Sequence, residues 1–357
     1  MTADLAVVGG GVIGAFVVRE ALRRHPGWRV LLLERSSIGS GATEWSAGVS
    51  FPLAATPRHR DLVNAASPRY EALRGTPAGA FVRPVTMVYV VRRDGLEAFR
   101  QRVVGADVRP VTATERRRVA RFLPDARIGP GEEMVTHDGQ GFAVNARAVA
   151  EALVALAADR VEIQLGQRVE AVEPDDGGYR LTTEHGEWHA RRVVTACGAW
   201  TPPPVHATPL PGVPGARRKR IAALHARLPV TLDDPLVYFV DDDLFILPLG
   251  TGTALVSFYR DAWDTDPDTC DGRPGAEDLR QGRAALGRRS AAAAAAVSGG
   301  RAFCDLYTEN RLPVVTGHPD LPDLVAIRGG SGSGVRFAPA LAAEALQALT
   351  QPAPARA

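Results

Sequence analysis

Leu5-Ala6-Val7-Val8-Gly9-Gly10-Gly11-Val12-Ile13-Gly14 decides how this chain is read. The first four residues are apolar without polar alternation, as a strand buried on both faces requires. The glycines satisfy G-x-G-x-x-G, and Ala15 to Arg24 continues as a helical stretch stopped by His25-Pro26-Gly27. Arg29-Val30-Leu31-Leu32-Leu33 then reads as a second strand ending on Glu34, 20 positions after the last glycine. Gly9 allows the tight turn, Gly11 lets a pyrophosphate approach the backbone, and Gly14 permits close helix–strand packing. Val12 and Ile13 open the helix whose free N–H groups would receive that pyrophosphate. Glu34 is placed to accept from both ribose hydroxyls, and its charge repels a 2′-phosphate. Strand, turn, helix, strand and acid in register predict an α/β chain that binds an ADP-containing dinucleotide.

Length and composition narrow the class. The 357 residues suit two domains, and 45% hydrophobic with 23% charged residues is ordinary for a globular chain. A net charge of +2 gives no field for a nucleic-acid partner. Lys219 is the single lysine among the 42 Lys and Arg residues. Cys197, Cys270 and Cys304 show neither a disulfide framework nor metal spacing, so no metal is expected. No apolar run has the length of a membrane span, and no stretch before Leu5 has the make-up of a signal peptide. A cytoplasmic protein without a membrane partner is the expectation, with the oligomeric state open.

The fingerprint alone leaves FAD and NAD open. Arg35 leads into Ser36-Ser37-Ile38-Gly39-Ser40-Gly41-Ala42-Thr43-Glu44-Trp45-Ser46-Ala47-Gly48, a small-residue loop too long for a simple connection. An extended FAD needs such a segment beside the flavin, which makes Arg35, Ser40 to Thr43 and Ser46 to Gly48 candidate contacts. A second glycine-rich turn, Gly329-Gly330-Ser331-Gly332-Ser333-Gly334-Val335-Arg336, precedes an alanine-rich helix. Its backbone N–H groups are expected to meet the pyrimidine end of a flavin, where reduction builds negative charge.

These segments, with Val193-Val194-Thr195-Ala196-Cys197-Gly198-Ala199-Trp200 and the step from Asp138-Gly139-Gln140-Gly141 into Asn145 to Leu153, resemble the D-amino-acid oxidase/sarcosine oxidase/glycine oxidase family of flavoenzymes. The resemblance runs in order along nearly the whole chain. It implies a Rossmann-like FAD-binding domain of the GR2 type and a discontinuous α+β substrate domain built on an antiparallel sheet. The expected boundaries are 1–80, 140–208 and 300–350 for the first, and 81–139 and 209–299 for the second. Residues 351–357 are expected to form a disordered tail. Val169, Ala196, Gly198 and Trp200 join the cofactor contacts it implies, as do Gly330 to Arg336.

For activity the resemblance implies oxidation of a C–N bond in a small carboxylate-bearing primary or secondary amine. The product is an imine, with oxygen or another acceptor taking the electrons. Arg336 falls where the family places the cation for the substrate carboxylate, and guanidinium binds such a group bidentately. Arg58 and Arg60 are candidates for a second cation. Tyr259, Tyr307, His225, Trp263 and Phe245 are candidate pocket walls. Sarcosine-oxidase-like members carry an oxygen-activating lysine on a substrate-domain strand, where this chain has Val256. Lys219, within Arg217-Arg218-Lys219-Arg220, reads instead as part of a solvated face or a phosphate contact. The family's covalent Cys-x-Tyr-Thr segment is one residue longer here, Cys304-Asp305-Leu306-Tyr307-Thr308, which turns Cys304 to the opposite strand face. Non-covalent FAD is therefore expected, with a covalent link through Cys304 left open by a strand bulge. Three other readings also stand at this level: a flavin dehydrogenase using an acceptor other than oxygen, a NAD-dependent dehydrogenase, and a flavin-carrying subunit without turnover of its own.

Overall fold

Every residue of Leu5–Val8 is buried because both faces of its sheet are covered. The computed structural model describes residues 2–139, 141–204, 213–318, 321 and 323–350; Gln140 and the tail at 351–357 lie outside the described residues. A six-stranded sheet runs in the order Val161–Leu165, Val30–Glu34, Leu5–Val8, Val193–Thr195, Leu324–Arg328, Val314–Gly317. All its pairings are parallel except the last. Leu5 and Val7 face helices Val12–Arg24, Pro57–Leu73, Ala146–Ala155 and Gly334–Thr350. Ala6 and Val8 face a second sheet that includes Val169–Asp175, Gly178–Thr183 and Gly186–Ala190. Strand alternation thus divides the core into a helical side and a sheet side.

An eight-stranded sheet forms the other half. Its order is Val297–Tyr307, Arg217–Arg227, Thr253–Ser257, Leu244–Gly250, Leu236–Phe239, Met87–Arg92, Glu132–His137, Val108–Pro110. It is antiparallel apart from the pairing of Leu236–Phe239 with Met87–Arg92. Strand Val297–Tyr307 belongs here, so the boundary expected at residue 300 falls inside a strand that delivers Asp305 and Tyr307 toward the other half. Asp241 to Asp243 form the expected hairpin turn, with Asp243 in the left-handed region at φ 48°.

Parity along these strands decides which residues meet the cavity. Val237, Ile246 and Val256 pack into the core on the helix-covered face. Tyr238, Phe245 and Ser257 line a cavity on the other. Val256, where an oxygen-activating lysine was sought, therefore points away from the cavity.

Helix Ala276–Arg289 is tied to the sheet by one buried carboxylate. Asp278 Oδ2 accepts from Arg220 Nε at 2.9 Å and Nη2 at 2.8 Å, while Oδ1 accepts from Arg260 Nε at 2.8 Å. The N–H of Gly275 also donates to Oδ2, at 2.9 Å, capping the helix. Burial raises the Asp278 pKa, but the Arg220 and Arg260 hydrogen bonds outweigh it and hold the carboxyl below its usual range. Asp278→Ala should cost about 2–3 kcal/mol in urea unfolding at neutral pH, since it leaves two half-buried guanidinium groups without their anion, while Arg220 keeps Arg273 O and Arg260 keeps Gln281 Oε1. Because the folded-state pKa is depressed, the native contribution is full above about pH 4 and lost as pH falls through the folded value. The gap between wild type and Asp278→Ala should therefore narrow in acid.

Candidate active site

Two cavities share part of one wall. The larger, about 480 Å³, runs along the carboxyl ends of the parallel strands. The smaller, about 350 Å³, lies against the eight-stranded sheet. Ser46, Phe303, Gly332 and Val335 line both.

The larger cavity is built from the opening βαβ unit. Gly9 has φ 108°, and a Cβ there would stand 2.5 Å from the Ala196 oxygen. A Cβ on Gly14 would stand 1.9 Å from the Gly9 oxygen, so Gly14 seats the helix on its strand and does not line the cavity. A Cβ on Gly11 would meet only Thr43 Oγ1, at 3.2 Å. That open cradle, edged by the first N–H groups of the helix, fits a phosphate held by backbone donors. Glu34 is buried; Oε2 accepts from Gly10 N at 2.7 Å and Oε1 from Ser36 N at 2.9 Å. Burial nonetheless raises its pKa. Thr43 Oγ1 accepts from Val12 N at 3.0 Å, pinning the small-residue loop to the helix start.

Of the residues expected at the cofactor, Gly9, Gly11, Val12, Ile13, Glu34, Arg35, Ser40, Gly41, Ala42, Thr43 and Ser46 line this cavity. So do Val169, Ala196, Gly198, Trp200, Gly330, Gly332, Gly334 and Val335. Ala47, Gly48, Ser331, Ser333 and Arg336 line the smaller one.

The glycine turn at 329–334 differs from expectation in its donors. Ser331 N donates to Leu306 O, Gly332 N to Asp305 Oδ2 and Ser333 N to Gly330 O. The first two of these N–H groups tie the turn to strand Val297–Tyr307, and the third closes it. The donors without a partner inside helix Gly334–Thr350 are those of its own first turn, beginning at Gly334. Asp305, which sequence reasoning missed, is a buried carboxylate whose pKa burial raises, despite N–H groups from Gly332 and Leu306. Asp268 was missed too. Its Oδ1 accepts from Arg35 Nη2 at 2.7 Å and Trp200 Nε1 at 2.8 Å, closing a bridge over the cavity between the two halves.

The smaller cavity is walled by Phe51, Ile221, Tyr238, Phe245, Tyr259 and Tyr307. Of the other walls expected, His225 lies outside its lining, while Trp263 packs edge-on against Tyr307. Arg336 enters from the first turn of helix Gly334–Thr350. Among the described residues, nothing hydrogen-bonds its buried Nε and Nη2. Burial pushes its pKa down to about 10, with Tyr89 and Tyr238 opposing that shift and Arg102 adding to it.

Arg58 and Arg60 do not line either cavity. They sit on helix Pro57–Leu73, where Arg58 pairs through both Nη atoms with Glu344 and Arg60 donates to Gln101 O. The helical turn carries both away from the site.

The basic run 217–220 disperses instead of forming one face. Arg217 pairs with Asp264, Arg218 reaches Ala199 O and Thr201, and Arg220 reaches Asp278. Lys219 is buried and lines the smaller cavity, so the cavity does carry an ammonium, from a different strand than expected. Its standing as the chain's single lysine was the signal available in the sequence.

Cys304 contacts Thr265 O and Asp305 O, and its neighbours Phe303 and Asp305, not Cys304, line the larger cavity. Burial pushes its thiol pKa up to about 12, away from the thiolate form.

A family profile described as FAD dependent oxidoreductase matches residues 4–348. The chain belongs to the FAD dependent oxidoreductase family. A glycine oxidase from Geobacillus kaustophilus (strain HTA426) is 32% identical over 219 residues, a stretch covering 55% of this chain and 55% of that relative. The crystal structure of glycine oxidase from Geobacillus kaustophilus superposes with a TM-score of 0.78 at 22% identity, covering 98% of this chain and 94% of the other. L-Proline dehydrogenase from P. horikoshii gives 0.81 at 16% identity, covering 98% and 93%. Both share the fold of this FAD dependent oxidoreductase. Among the described residues there is no helix long and apolar enough to cross a membrane and no group of side chains that could hold a metal.

Two outcomes check this placement. Gly11→Val should weaken FAD binding by more than about tenfold, since its side chain enters the cradle, while the flavin-free protein keeps its melting temperature. Flavin released into the supernatant on acid precipitation is expected, as the Cys304 thiol faces away from the cavity; colour held in the pellet would reverse that assignment.

Proposed function

We propose that this chain oxidises the C–N bond of a small amine bearing a carboxylate, an amino acid or close analogue, to the corresponding imine, with oxygen reduced to hydrogen peroxide. The observation that carries the reading is Arg336. A guanidinium with two buried, unpaired nitrogens, at an aromatic-walled cavity that adjoins the cofactor cavity, calls for an anion supplied by the substrate.

FAD, when bound, supplies the two-electron acceptor for the hydride leaving the α-carbon. The chain's residues do the rest. Arg336 holds the carboxylate, and Phe51, Tyr238 and Phe245, packed against one another, supply an apolar wall that excludes water. His59 also lines the cavity; burial and the nearby Arg336 charge lower its pKa, which favours the neutral ring at neutral pH. A neutral imidazole there adds no repulsion to an incoming amine and is able to accept a proton. Val256 brings no charge to the cavity, but Lys219 does, and a positive charge there favours the reduction of oxygen.

Anaerobic mixing of the FAD-loaded protein with glycine, sarcosine, L-proline and a panel of D-amino acids tests the reading. Bleaching near 450 nm by at least one of them, with peroxide formed on readmitting air, is expected. Bleaching without peroxide would point to another electron acceptor. Arg336→Leu should lower kcat/KM for the carboxylated substrate by about 100-fold or more. A smaller loss would remove the carboxylate assignment.

A further inference from the structure

Lys219 stands on the cavity face of strand Arg217–Arg227, in step with Ile221 and Ala223. Its residue is 4% exposed, yet among the described residues its Nζ forms no ion pair or hydrogen bond. Three rings surround it instead: Tyr259 at 4.0 Å, Trp263 at 4.9 Å and Tyr307 at 5.1 Å from centroid to Nζ. Such rings offset part of the cost of desolvating an ammonium but supply no counter-charge. The cross-strand neighbour Asp305 gives none, since its carboxylate accepts from Gly332 N and Leu306 N. Asp243 lines the same cavity and accepts from Tyr238 Oη, and it acts on Lys219 only at longer range. Arg311 adds a second cation to that part of the lining.

Arg336 occupies a different part of the cavity. Its guanidinium lies over the Phe337 ring at 4.7 Å, on the helix that carries both, whereas Lys219 lies among Tyr259, Trp263 and Tyr307 on the sheet side. The cavity therefore carries cations in two places, Arg336 in one and Lys219 with Arg311 in the other, and among the described residues no carboxylate is ion-paired or hydrogen-bonded to any of the three. One carboxylate satisfies only one of the two places.

Resting on the reading of Arg336 given above, we propose that Lys219 receives a second anionic group of the substrate, so that the site takes amino acids carrying two carboxylates. Entry of the second carboxylate pairs the ammonium inside the cavity, where charge pairing is stronger than in bulk water. Lysine suits this position better than arginine, because a compact ammonium fits among three rings that a planar guanidinium would have to part.

The test uses FAD-loaded full-length protein and inert ligands, so it does not require turnover. Malonate, succinate and glutarate are titrated against acetate, propionate and butyrate, followed by the flavin absorption band. At least one diacid should bind about tenfold or more tighter than the monoacid of equal length, and Lys219→Met should reduce that ratio to about threefold or less. A ratio near one in the wild type overturns the proposal, as does a ratio that survives in the variant.

A mutation-free measurement covers the case in which Lys219→Met does not fold. As the single lysine, Lys219 is one of only two amines in the chain, and peptide mapping separates it from the N-terminus. The preferred diacid should slow its acetylation by acetic anhydride about tenfold, and the matched monoacid less than about twofold. Equal protection by both overturns the assignment. If no amino acid reduces the flavin but the diacid preference holds, the oxidation reading fails and the two-anion site stands. Reduction without diacid preference gives the converse.

Discussion

The Gly9 carbonyl lies so close to Gly14 that not even a methyl group fits between them, and both cavities depend on that contact. It seats helix Val12–Arg24 directly on the end of Leu5–Val8 and aims the helix start along the strand ends. Val12 N then reaches Thr43 Oγ1, which fixes the small-residue loop, and the same loop supplies Ser46 and Gly48 to the second cavity. A close backbone approach at one turn thus sets the position of a wall some thirty residues later in the chain. The turn itself needs glycine at two positions, Gly9 for its φ and Gly14 for its space, and Gly11 leaves room for the ligand.

Charge is sorted between the two cavities. The larger is lined by Glu34 and Asp305, buried carboxylates held by backbone N–H groups, together with Arg35, Arg168, Arg218 and Arg328. Each of those two carboxylates has backbone donors of its own, so the pairing is internal to the protein. The smaller cavity is different: among the described residues neither Arg336 nor Lys219 has a hydrogen-bonded carboxylate or backbone acceptor, and Asp243, the carboxylate in its lining, accepts from Tyr238 Oη. Uncompensated burial of charge is costly, and a fold retains it where a ligand completes the pair.

What could be read in the sequence was whatever a local rule controls. Leu5–Val8 and Val30–Glu34 declare themselves because strands covered on both faces need no polar residues, and the glycine spacing follows from backbone sterics. The expectations that failed needed parity or long-range contacts. Val256 against Ser257 differs by one residue, and one residue reverses the face of a strand. Nothing local in Arg217-Arg218-Lys219-Arg220 says that the third residue turns inward while its neighbours find Asp264, Thr201 and Asp278. Asp305 and Asp268 escaped notice for the same reason: their partners lie 27 residues away at Gly332, and 233 and 68 residues away at Arg35 and Trp200.

Arg58 shows how a misplaced candidate still bears on the site. Its guanidinium grips Glu344 on helix Gly334–Thr350, the helix whose first turn presents Arg336. Tyr70, on the same helix as Arg58, donates its hydroxyl to Val335 O, the residue beside Arg336. Phe16 meets Tyr70 edge-on at 5.6 Å, linking this clamp back to the helix that follows the first glycines. A buried guanidinium without a partner would gain by turning toward water, so the backbone that carries it has to be held. The two contacts from Pro57–Leu73 provide that restraint at the first turn and past the middle of helix Gly334–Thr350. The N-terminal helix, the clamp and Arg336 form one packed chain of contacts, through which the geometry of the cofactor turn is joined to that of the substrate cation.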